Sequence, residues 1–276
     1  MRPAEWLLIA YFSYVAVAAA WFFNPWKAWA LAAVVASVVW ALSRSQSLAR
    51  DLAPIGFTLI AYREMNWFTP ATYDHHLENV WIGWDRWLLD QWHLRASLES
   101  AGALIPFFLE LCYLLVYSVG AVSVGSLFWN RRRDAVSRFW LAYLAGTLGA
   151  YALFPYFPSE PPRTAFAAAD LPNIVTVMRR VNLWIVGGYG IHSSVFPSAH
   201  VSSAFSAAWG LMVTLRERRW IGWLMALYAF LVAVATVYGR YHYAVDAVAG
   251  LAVSLLAAAS LGMATSRSTT PNAALR

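Results

Sequence analysis

Three short polar motifs stand among the long apolar stretches of this chain. They are Pro-Pro-Arg at 161–163, Pro-Ser-Ala-His at 197–200 and Gly-Arg-Tyr-His-Tyr-Ala-Val-Asp at 239–246. Together they supply arginines, a serine hydroxyl, two histidines and a carboxylate. Arginine binds phosphate oxygens through paired hydrogen bonds, and histidine can attack phosphorus or transfer a proton. The motifs therefore predict a site that binds and transfers a phosphoryl group.

The third motif holds the candidate nucleophile. His242 and Asp246 are four residues apart, so on a helix their side chains share one face. The carboxylate can then accept a hydrogen bond from one imidazole nitrogen, which leaves the other nitrogen free to attack phosphorus. The simpler alternative is a histidine at a helix end with a local ion pair.

The other two motifs supply candidate binding groups and a candidate acid. Pro-Ser-Ala-His begins an apolar stretch, where the amides of a helix N-terminus attract an anion and Ser198 adds a donor. His200 is placed to protonate a leaving oxygen, although an ordinary helix cap by Ser198 is the simpler alternative. Arg163 follows two prolines and can bind phosphate bidentately, or it can contact lipid headgroups as an interfacial arginine.

The composition indicates a polytopic membrane protein. The 276 residues are 61% hydrophobic and 12% charged, with a mean hydropathy of +0.52, whereas soluble domains carry about 25% charged residues. The 16 tryptophans fit aromatic belts at two membrane interfaces. The net charge of +6 does not indicate nucleic-acid binding, because the basic residues lie in short loops between apolar stretches. The one cysteine, Cys112, lies in an apolar stretch and indicates helix packing.

The apolar stretches predict an all-α bundle with seven or eight membrane spans. The stretch 52–62 is too short alone and contains Pro54 and Gly56, so it is either a short eighth span that continues to residue 68 or a segment that re-enters the membrane. The first stretch is expected to be a span rather than a cleaved signal peptide, because another follows closely. The seven other stretches are 6–23, 28–42, 103–129, 139–157, 201–215, 220–238 and 243–263.

The distribution of arginine predicts the topology. Clusters at 131–133 and 216–219, and Arg267, follow spans, and the positive-inside rule places these ends in the cytoplasm. If 52–68 crosses, every arginine-rich loop is cytoplasmic. The loop 158–197 and the turn 238–243 then lie on the opposite face, so all three motifs meet there. We therefore expect a multi-pass protein of the plasma (inner) membrane whose active site faces outward.

The segment 69–100 is polar but carries several tryptophans. Val80, Trp84, Trp87 and Leu88 share one helical face, which predicts an amphipathic helix on the outer membrane surface. A small soluble cap is the alternative. Residues 1–265 are predicted to form a single membrane-embedded catalytic domain, with 158–197 as the outer active-site loop and 266–276 as a disordered tail.

On these motifs the chain resembles the type 2 phosphatidic acid phosphatase superfamily of membrane lipid phosphatases and phosphotransferases. The resemblance covers residues 139–263, with a weaker likeness before them. It rests on Pro-Pro-Arg after a span, Pro-Ser-x-His, and His-Tyr-x-x-Asp with Gly250 four residues on. It implies a six-helix phosphatase-type core and chemistry that needs neither a metal nor another cofactor.

The resemblance also implies roles for the motif residues. His242 is the nucleophile that forms a phosphohistidine, Asp246 orients it, and His200 is the acid for the leaving group. Three further residues would hold the phosphate oxygens: Arg163, Ser198 and Arg240.

Within the superfamily the chain looks most similar to the inositol-phosphorylceramide-synthase-like branch. The phosphatase branch has a lysine before its first-motif arginine, where this chain has Tyr156; the only lysine, Lys27, lies in another loop. That branch also has an arginine six residues before the third-motif histidine, where this chain has Thr236. These departures favour headgroup transfer over ordinary phosphatidate hydrolysis, and they leave the role of Arg240 open.

Glu110 is the one further candidate, as a residue that supports the site. It lies inside an apolar stretch with Tyr113 and Tyr117 on the same helical face, and a carboxylate within a membrane is costly to bury. It either pairs with an active-site arginine or is protonated and hydrogen-bonded to a neighbouring helix. The histidines outside the motifs are expected to be interfacial, and a zinc site is disfavoured because no ligand pair has a zinc-protease-like context. The zinc set considered is His192, His200, His242 and Asp246.

The sequence thus predicts an enzyme that transfers a phosphoryl group or phospho-headgroup from a lipid to water or to a lipid hydroxyl. Phosphatidate, isoprenyl (pyro)phosphate, phosphatidylglycerol phosphate and phosphoinositol lipids all fit, and the oligomeric state is open. No nucleotide-binding motif is present. The alternatives are a non-catalytic lipid-phosphate-binding transporter or flippase-like protein, and a purely structural membrane protein. The paired histidines with their carboxylate favour the enzyme.

Overall fold

A computed structural model describes residues 1–167 and 170–267 of the chain. Throughout these residues the regular secondary structure is helical, which confirms the predicted all-α bundle. The predicted tail, 266–276, lies outside the described residues from residue 268 onward. In the described part of the chain the α-helices are, in order, α1 (Pro3–Ala19), α2 (Trp26–Ser43), α3 (Leu48–Glu64), α4 (His76–Arg86), α5 (Leu94–Glu99), α6 (Leu104–Leu115), α7 (Val119–Trp129), α8 (Val136–Tyr151), α9 (Pro162–Ala165), α10 (Val177–Tyr189), α11 (Ala199–Thr214), α12 (Arg219–Tyr238) and α13 (Ala244–Arg267).

Four helical stretches of the described chain are long and apolar enough to cross a membrane. They are α2, the α6–α7 stretch Leu104–Trp129, the stretch Arg216–Tyr238 that includes α12, and Ala244–Gly262 within α13. The helices α1, α3, α8 and α11 have 16 or 17 residues, fewer than the about 20 that an untilted span needs. Crossing by these four helices, including the 52–68 stretch, stays a prediction.

Helix α11 lies at the centre of the bundle, against α8, α12 and α13. Small side chains such as Ser202 and Ser206 cover much of its buried surface, so neighbouring backbones approach closely. The Ser202 hydroxyl donates to the Gly146 carbonyl at 2.9 Å, and the Ser206 and Ser254 hydroxyls are 3.1 Å apart. This packing brings the start of α11 beside the turn between α12 and α13.

The segment 69–100 forms α4, a π-helical turn at Trp87–Gln91, and α5. One face of α4 is exposed at Val80 and Trp84, whereas Trp81 and Ile82 are buried. The helix therefore has one exposed and one buried face, and its place as an amphipathic helix on the membrane surface stays a prediction. The segment 158–197, which is predicted to be the outer active-site loop, contains two helices of its own, α9 and α10.

Candidate active site

The three motifs meet at one end of the bundle, which we call the motif end. The amide of Arg163 donates to the carbonyl of Arg240 at 3.1 Å, and the amide of Ser198 donates to the carbonyl of Asp246 at 2.9 Å. The first motif lies in α9, the second opens α11, and the third runs from the turn after α12 into α13. Two main-chain hydrogen bonds thus join the first and second motifs to the third.

Gly250 permits the close approach of the second and third motifs. A Cβ atom at this position would lie 2.4 Å from the carbonyl oxygen of Ser198, well inside the van der Waals separation. Because Gly250 follows Asp246 by four residues, both lie on the same face of α13. A larger residue would therefore push α13 away from the start of α11.

The ring of His242 is fixed through its Nδ1 atom. This atom lies 2.9 Å from the carbonyl oxygen of Val195 and 3.3 Å from Oδ2 of Asp246. Since a carbonyl oxygen only accepts hydrogen bonds, Nδ1 carries the proton and donates it. The other ring nitrogen, Nε2, then keeps its lone pair in the neutral ring.

The surroundings of His242 keep its ring uncharged. Burial lowers the pKa of His242 to about 3, the Arg163 cation acts in the same direction, and the hydrogen bond to Val195 opposes them. The turn that carries the ring lies between α12 and α13, outside both helices. At neutral pH the imidazole is therefore available as a base or a nucleophile.

Asp246 is fully buried in the first turn of α13. Its Oδ2 atom accepts from the amide of Tyr243 at 2.9 Å and also lies beside Nδ1 of His242. Within the described residues its Oδ1 atom has no hydrogen-bond partner. The carboxylate thus holds both the helix start and the imidazole ring, so the pair expected from the four-residue spacing is in contact.

His200 faces His242 across a small cavity. The two ring centroids are 5.7 Å apart and the ring planes are nearly perpendicular, at 81°. Tyr113 and Tyr117 contact the His200 ring edge-to-face, with centroids 5.2 Å and 5.3 Å away. The two motif histidines are therefore brought together, as predicted, and their catalytic roles stay predictions.

Arg163 lies beside both histidines. With His200 and His242 it lines a cavity of about 50 Å³, which we call the histidine cavity. Its guanidinium lies over the Tyr241 ring, 5.4 Å from the centroid. Within the described residues it has no carboxylate partner. This cation is therefore available to a bound anion.

The side chains of Arg240 and Ser198 make other contacts. The Nη1 atom of Arg240 is 2.6 Å from Oδ2 of Asp85, and the side chain is buried. The Ser198 hydroxyl accepts from the amide of Val201 at 3.4 Å and caps α11, which is the simpler of the two alternatives for this residue. Among the described residues that line the histidine cavity, neither occurs. Direct phosphate binding by either side chain stays a prediction.

Glu110 pairs with an arginine from the outer loop. Its carboxylate accepts from Arg179 at 2.8 Å, from Asn182 at 2.7 Å and from the Tyr241 hydroxyl at 2.7 Å. Glu110 thus has an arginine partner and a hydrogen bond to the neighbouring helix α10, but Arg179 does not line the histidine cavity, so pairing with an active-site arginine stays a prediction. Tyr241 in turn stacks on Tyr113, with centroids 3.8 Å apart, so the Glu110 cluster supports the residue next to His242.

A larger cavity of about 360 Å³ opens on the other side of His200. We call it the tyrosine cavity, since several tyrosine side chains line it. Ser203, in the first turns of α11, and Thr58, in the middle of α3, also line it, so it extends from the motif end toward the middle of the bundle. His200 contributes to both cavities. The tyrosines of its lining are Tyr62, Tyr117, Tyr143, Tyr151 and Tyr189.

Sequence reasoning missed two charged residues of this region, Asp85 and Arg179. Asp85 follows the exposed Trp84 and is turned about 100° around the helix from it, toward the buried face. A carboxylate on a buried face requires a cationic partner, so this pattern could have predicted that Asp85 forms a buried ion pair. Arg179 follows the N-cap Thr176 of α10, and no pattern in the sequence links it to Glu110.

The described residues include no group of three or more His, Cys, Asp or Glu side chains that is arranged to hold a metal ion. His200, His242 and Asp246 lie together, whereas the amide of His192 donates to the side chain of Asn66 at 2.9 Å. The alternative zinc set therefore has no assembled geometry in this part of the chain.

A family model described as the PAP2 superfamily matches residues 81–260, well over half of the chain. The chain belongs to the PAP2 superfamily, a family of phosphatase type. The match confirms the predicted superfamily, includes all three motifs, and begins within α4, earlier than the predicted residue 139. Searches of curated proteins and of solved structures found no match.

Proposed function

We propose that this protein is a membrane lipid phosphatase or phosphotransferase that works through a phosphohistidine on His242. One observation carries the proposal: a neutral, oriented imidazole faces a second histidine beside an arginine that has no carboxylate partner in the described chain. A phosphate monoester or diester needs a cation, a nucleophile and an acid, and these three side chains supply them.

The first chemical step transfers the phosphoryl group to the enzyme. The Nε2 lone pair of His242 attacks phosphorus, an N–P bond forms, and the bond from phosphorus to the leaving oxygen breaks. His200, which is protonated when the anionic phosphate is bound beside it, gives its proton to the leaving oxygen, and that group departs as an alcohol. Val195 and Asp246 hold the Nδ1 proton throughout, so the positive charge that develops on the ring is stabilised where it forms.

The second step returns the enzyme to its starting state. Water or a lipid hydroxyl attacks the phosphohistidine and gives its proton to His200, and the N–P bond breaks. His200 thus acts first as an acid and then as a base, as microscopic reversibility requires. Both steps need no group beyond the protein and its two substrates.

Arg163 and the start of α11 bind the phosphate in this proposal. The first amides of a helix have no partner within the helix, and at α11 these belong to Ala199 and His200, which both line the histidine cavity. Amides at a helix N-terminus and a guanidinium both favour an anion, and both stabilise the extra charge of a pentacoordinate phosphorus.

In this proposal the tyrosine cavity binds the part of a lipid substrate that adjoins the phosphate. It adjoins His200, so an alcohol that His200 protonates begins at its mouth. Its walls combine aromatic and aliphatic surface with hydroxyl groups and the Arg63 side chain, which fits the part of an amphiphile next to the headgroup. The substrate thus lies partly within the bundle while its phosphate occupies the histidine cavity.

Transfer to a lipid hydroxyl is the reaction that we favour, in line with the inositol-phosphorylceramide-synthase-like branch. The support is chemical: Tyr156 and Thr236 stand where the phosphatase branch has a lysine and an arginine. Fewer fixed cations suit a phosphodiester, which carries one negative charge where a monoester carries up to two. We further propose that the site faces away from the cytoplasm at the plasma membrane, because the arginine-rich loops lie at the other end of the bundle.

The test is phosphate or headgroup release by the purified protein from a panel of phospholipids and lipid phosphates, with EDTA present. His242→Ala is compared with His76→Ala, which changes an exposed histidine. We expect release by the wild type and by His76→Ala, and none by His242→Ala. Acid-labile phosphate should also be trapped on the wild type during turnover.

The same panel separates hydrolysis from transfer and from non-catalytic binding. Product that appears only when a lipid alcohol is added indicates a transferase. Lipid binding without turnover, unchanged by His242→Ala, would contradict the proposal and favour a transporter or flippase-like protein.

A further inference from the structure

Helix α4 contacts all three motifs through one face. Glu78, Trp81 and Asp85 are buried and follow one another at helical spacing, so they form one stripe along the helix. Each contacts a residue in or directly beside a different motif. Helix α4 is not one of the four stretches that are long and apolar enough to cross a membrane. It nevertheless contacts residues in or beside all three motifs.

Asp85 holds the turn on both sides of His242. Its Oδ2 atom is 2.6 Å from Nη1 of Arg240, and its Oδ1 atom accepts from the amide of Ala244 at 2.9 Å. These partners lie two residues before and two residues after His242. Arg240 has a positive φ of 62°, a conformation that non-glycine residues seldom adopt, and the ion pair stabilises it there.

Trp81 and Glu78 reach the other two motifs. The Trp81 ring stacks on Phe196, with centroids 5.3 Å apart and planes at 23°, and it also contacts Tyr243 at 5.5 Å. Phe196 lies between Pro197 and Val195, whose carbonyl binds His242. The Oε1 atom of Glu78 accepts from the amide of Glu160 at 3.0 Å, directly before Pro-Pro-Arg.

The opposite face of this segment suits a bilayer surface. Val80, Trp84 and Trp87 are 48%, 55% and 49% exposed. Tryptophan combines an apolar ring with one hydrogen-bond donor and is enriched at the level of lipid headgroups. The helix therefore has one face for the lipid interface and one for the site.

We infer that α4 positions the three motifs for reaction, with Asp85 as its principal positioning residue, and that its tryptophan face rests on the lipid interface. This inference rests on the proposed phosphohistidine chemistry. Asp85 touches neither phosphate nor reacting atoms; it acts through Arg240 and Ala244 on the orientation of His242. Displacement of a reacting group by about 1 Å can lower a rate by about 10²-fold, so loss of this contact should affect turnover strongly.

The experiment compares Asp85→Asn with Asp90→Asn in protein reconstituted in phosphatidylcholine nanodiscs. Asp90 is a matched control, because it lies in the same segment and its side chain is 46% exposed. We expect Asp85→Asn to lower kcat by about 10- to 100-fold with KM within about twofold, since phosphate binding by Arg163 is retained. Asp90→Asn should keep the wild-type kcat.

Amide hydrogen exchange gives a readout that does not depend on activity. In Asp85→Asn, peptides that cover 195–203 and 239–246 should exchange about tenfold faster than in Asp90→Asn, because a charged hydrogen bond is lost. Exchange and kcat that match the control in Asp85→Asn would overturn the inference. If the wild type has no turnover that depends on His242, the proposed function fails, and the exchange result alone decides the positioning role.

A second variant covers a failure of Asp85→Asn to fold. Asp85→Glu keeps the buried charge for Arg240, but the longer side chain cannot also reach the Ala244 amide in the same geometry. We expect a folded protein with a kcat lowered several-fold and faster exchange at 239–246. Wild-type values for both would contradict a positioning role.

Discussion

The two ends of the helix bundle differ in the contacts that their arginines make. At the end opposite the motifs, the fully buried Asp51 accepts from Arg2 at 2.7 Å and from Arg133 at 2.6 Å, and Arg50 pairs with Glu5 at 2.6 Å. At the motif end, Arg163 has no carboxylate partner within the described residues. We call the first the arginine end.

The comparison separates paired arginines that hold the structure from Arg163, which lines the histidine cavity. Even at the motif end, Arg179 and Arg240 are bound to Glu110 and Asp85, and they fix the turn that carries His242. Arg163 lies beside the two motif histidines without a carboxylate partner among the described residues. A paired arginine should therefore affect stability most, and Arg163 should affect turnover most.

The strongest test of this contrast is removal of the nucleophile. His242→Ala should lower kcat on the order of 10⁴-fold or more, because the proposed covalent intermediate forms on its Nε2 atom. The melting temperature should change little, since the ring makes two hydrogen bonds, one to the Val195 carbonyl and one to Asp246. His76→Ala is the control, and comparable loss in both variants would contradict the assignment.

The arginines give the next largest effect. Arg163→Ala should lower kcat/KM by about 10²- to 10³-fold, the usual effect of removing one group that stabilises transition-state charge. Arg133→Ala at the arginine end should leave kcat/KM within about twofold, because its partner Asp51 is far from the site. Equal losses of kcat/KM in the two variants would remove the distinction between the ends.

A change in packing should have a smaller effect on turnover. Gly250→Ala places a methyl group against the Ser198 carbonyl, which shifts α13 and should lower kcat by about 10-fold or more. Gly125→Ala is the matched control, because a Cβ there meets nothing within 4 Å. Steady-state kinetics and thermal melts of both variants check this, and a wild-type kcat for Gly250→Ala would show that the close approach is dispensable.

A substitution at the arginine end should lower the stability of the protein and leave its turnover unchanged. Asp51→Asn removes a buried acceptor of two charged hydrogen bonds and should reduce the free energy of unfolding by about 2 kcal/mol. The kcat of the folded fraction should stay at the wild-type value. Denaturation in detergent together with an active-site titration measures both quantities, and a selective loss of kcat would show that the two ends are coupled.

The smallest expected effect is that of mild acid on His242. Since the pKa is about 3, the ring stays neutral at pH 5, and single-turnover phosphoenzyme formation from a phosphodiester should not decline between pH 7 and pH 5. An ordinary histidine pKa of about 6.5 would give a decline of about 25-fold. Below pH 6.5 the unfolded state binds a proton that the folded state does not. The free energy of unfolding therefore decreases as the pH is lowered, and it must be measured in parallel.

Local patterns predicted much of this molecule. The apolar stretches predicted the long helices, the tryptophan spacing predicted that α4 is helical, and the four-residue spacing predicted the contact between His242 and Asp246. The partners of the arginines were harder to predict from the sequence, because a side chain of that length can reach partners in several directions. Arg240 lies two residues from His242, yet its guanidinium pairs with Asp85, 155 positions away in the chain. Such partners depend on the tertiary fold.

The two main-chain hydrogen bonds between motifs have a consequence for how this chain tolerates substitution. Every residue except proline has an amide N–H, so the bonds made by the amides of Arg163 and Ser198 persist whatever side chain stands there. Side chains around the site can therefore diverge without loosening its frame. Proline at 163 or 198 is the substitution that would break it, and variants with proline there should lose the site even where alanine leaves the fold intact.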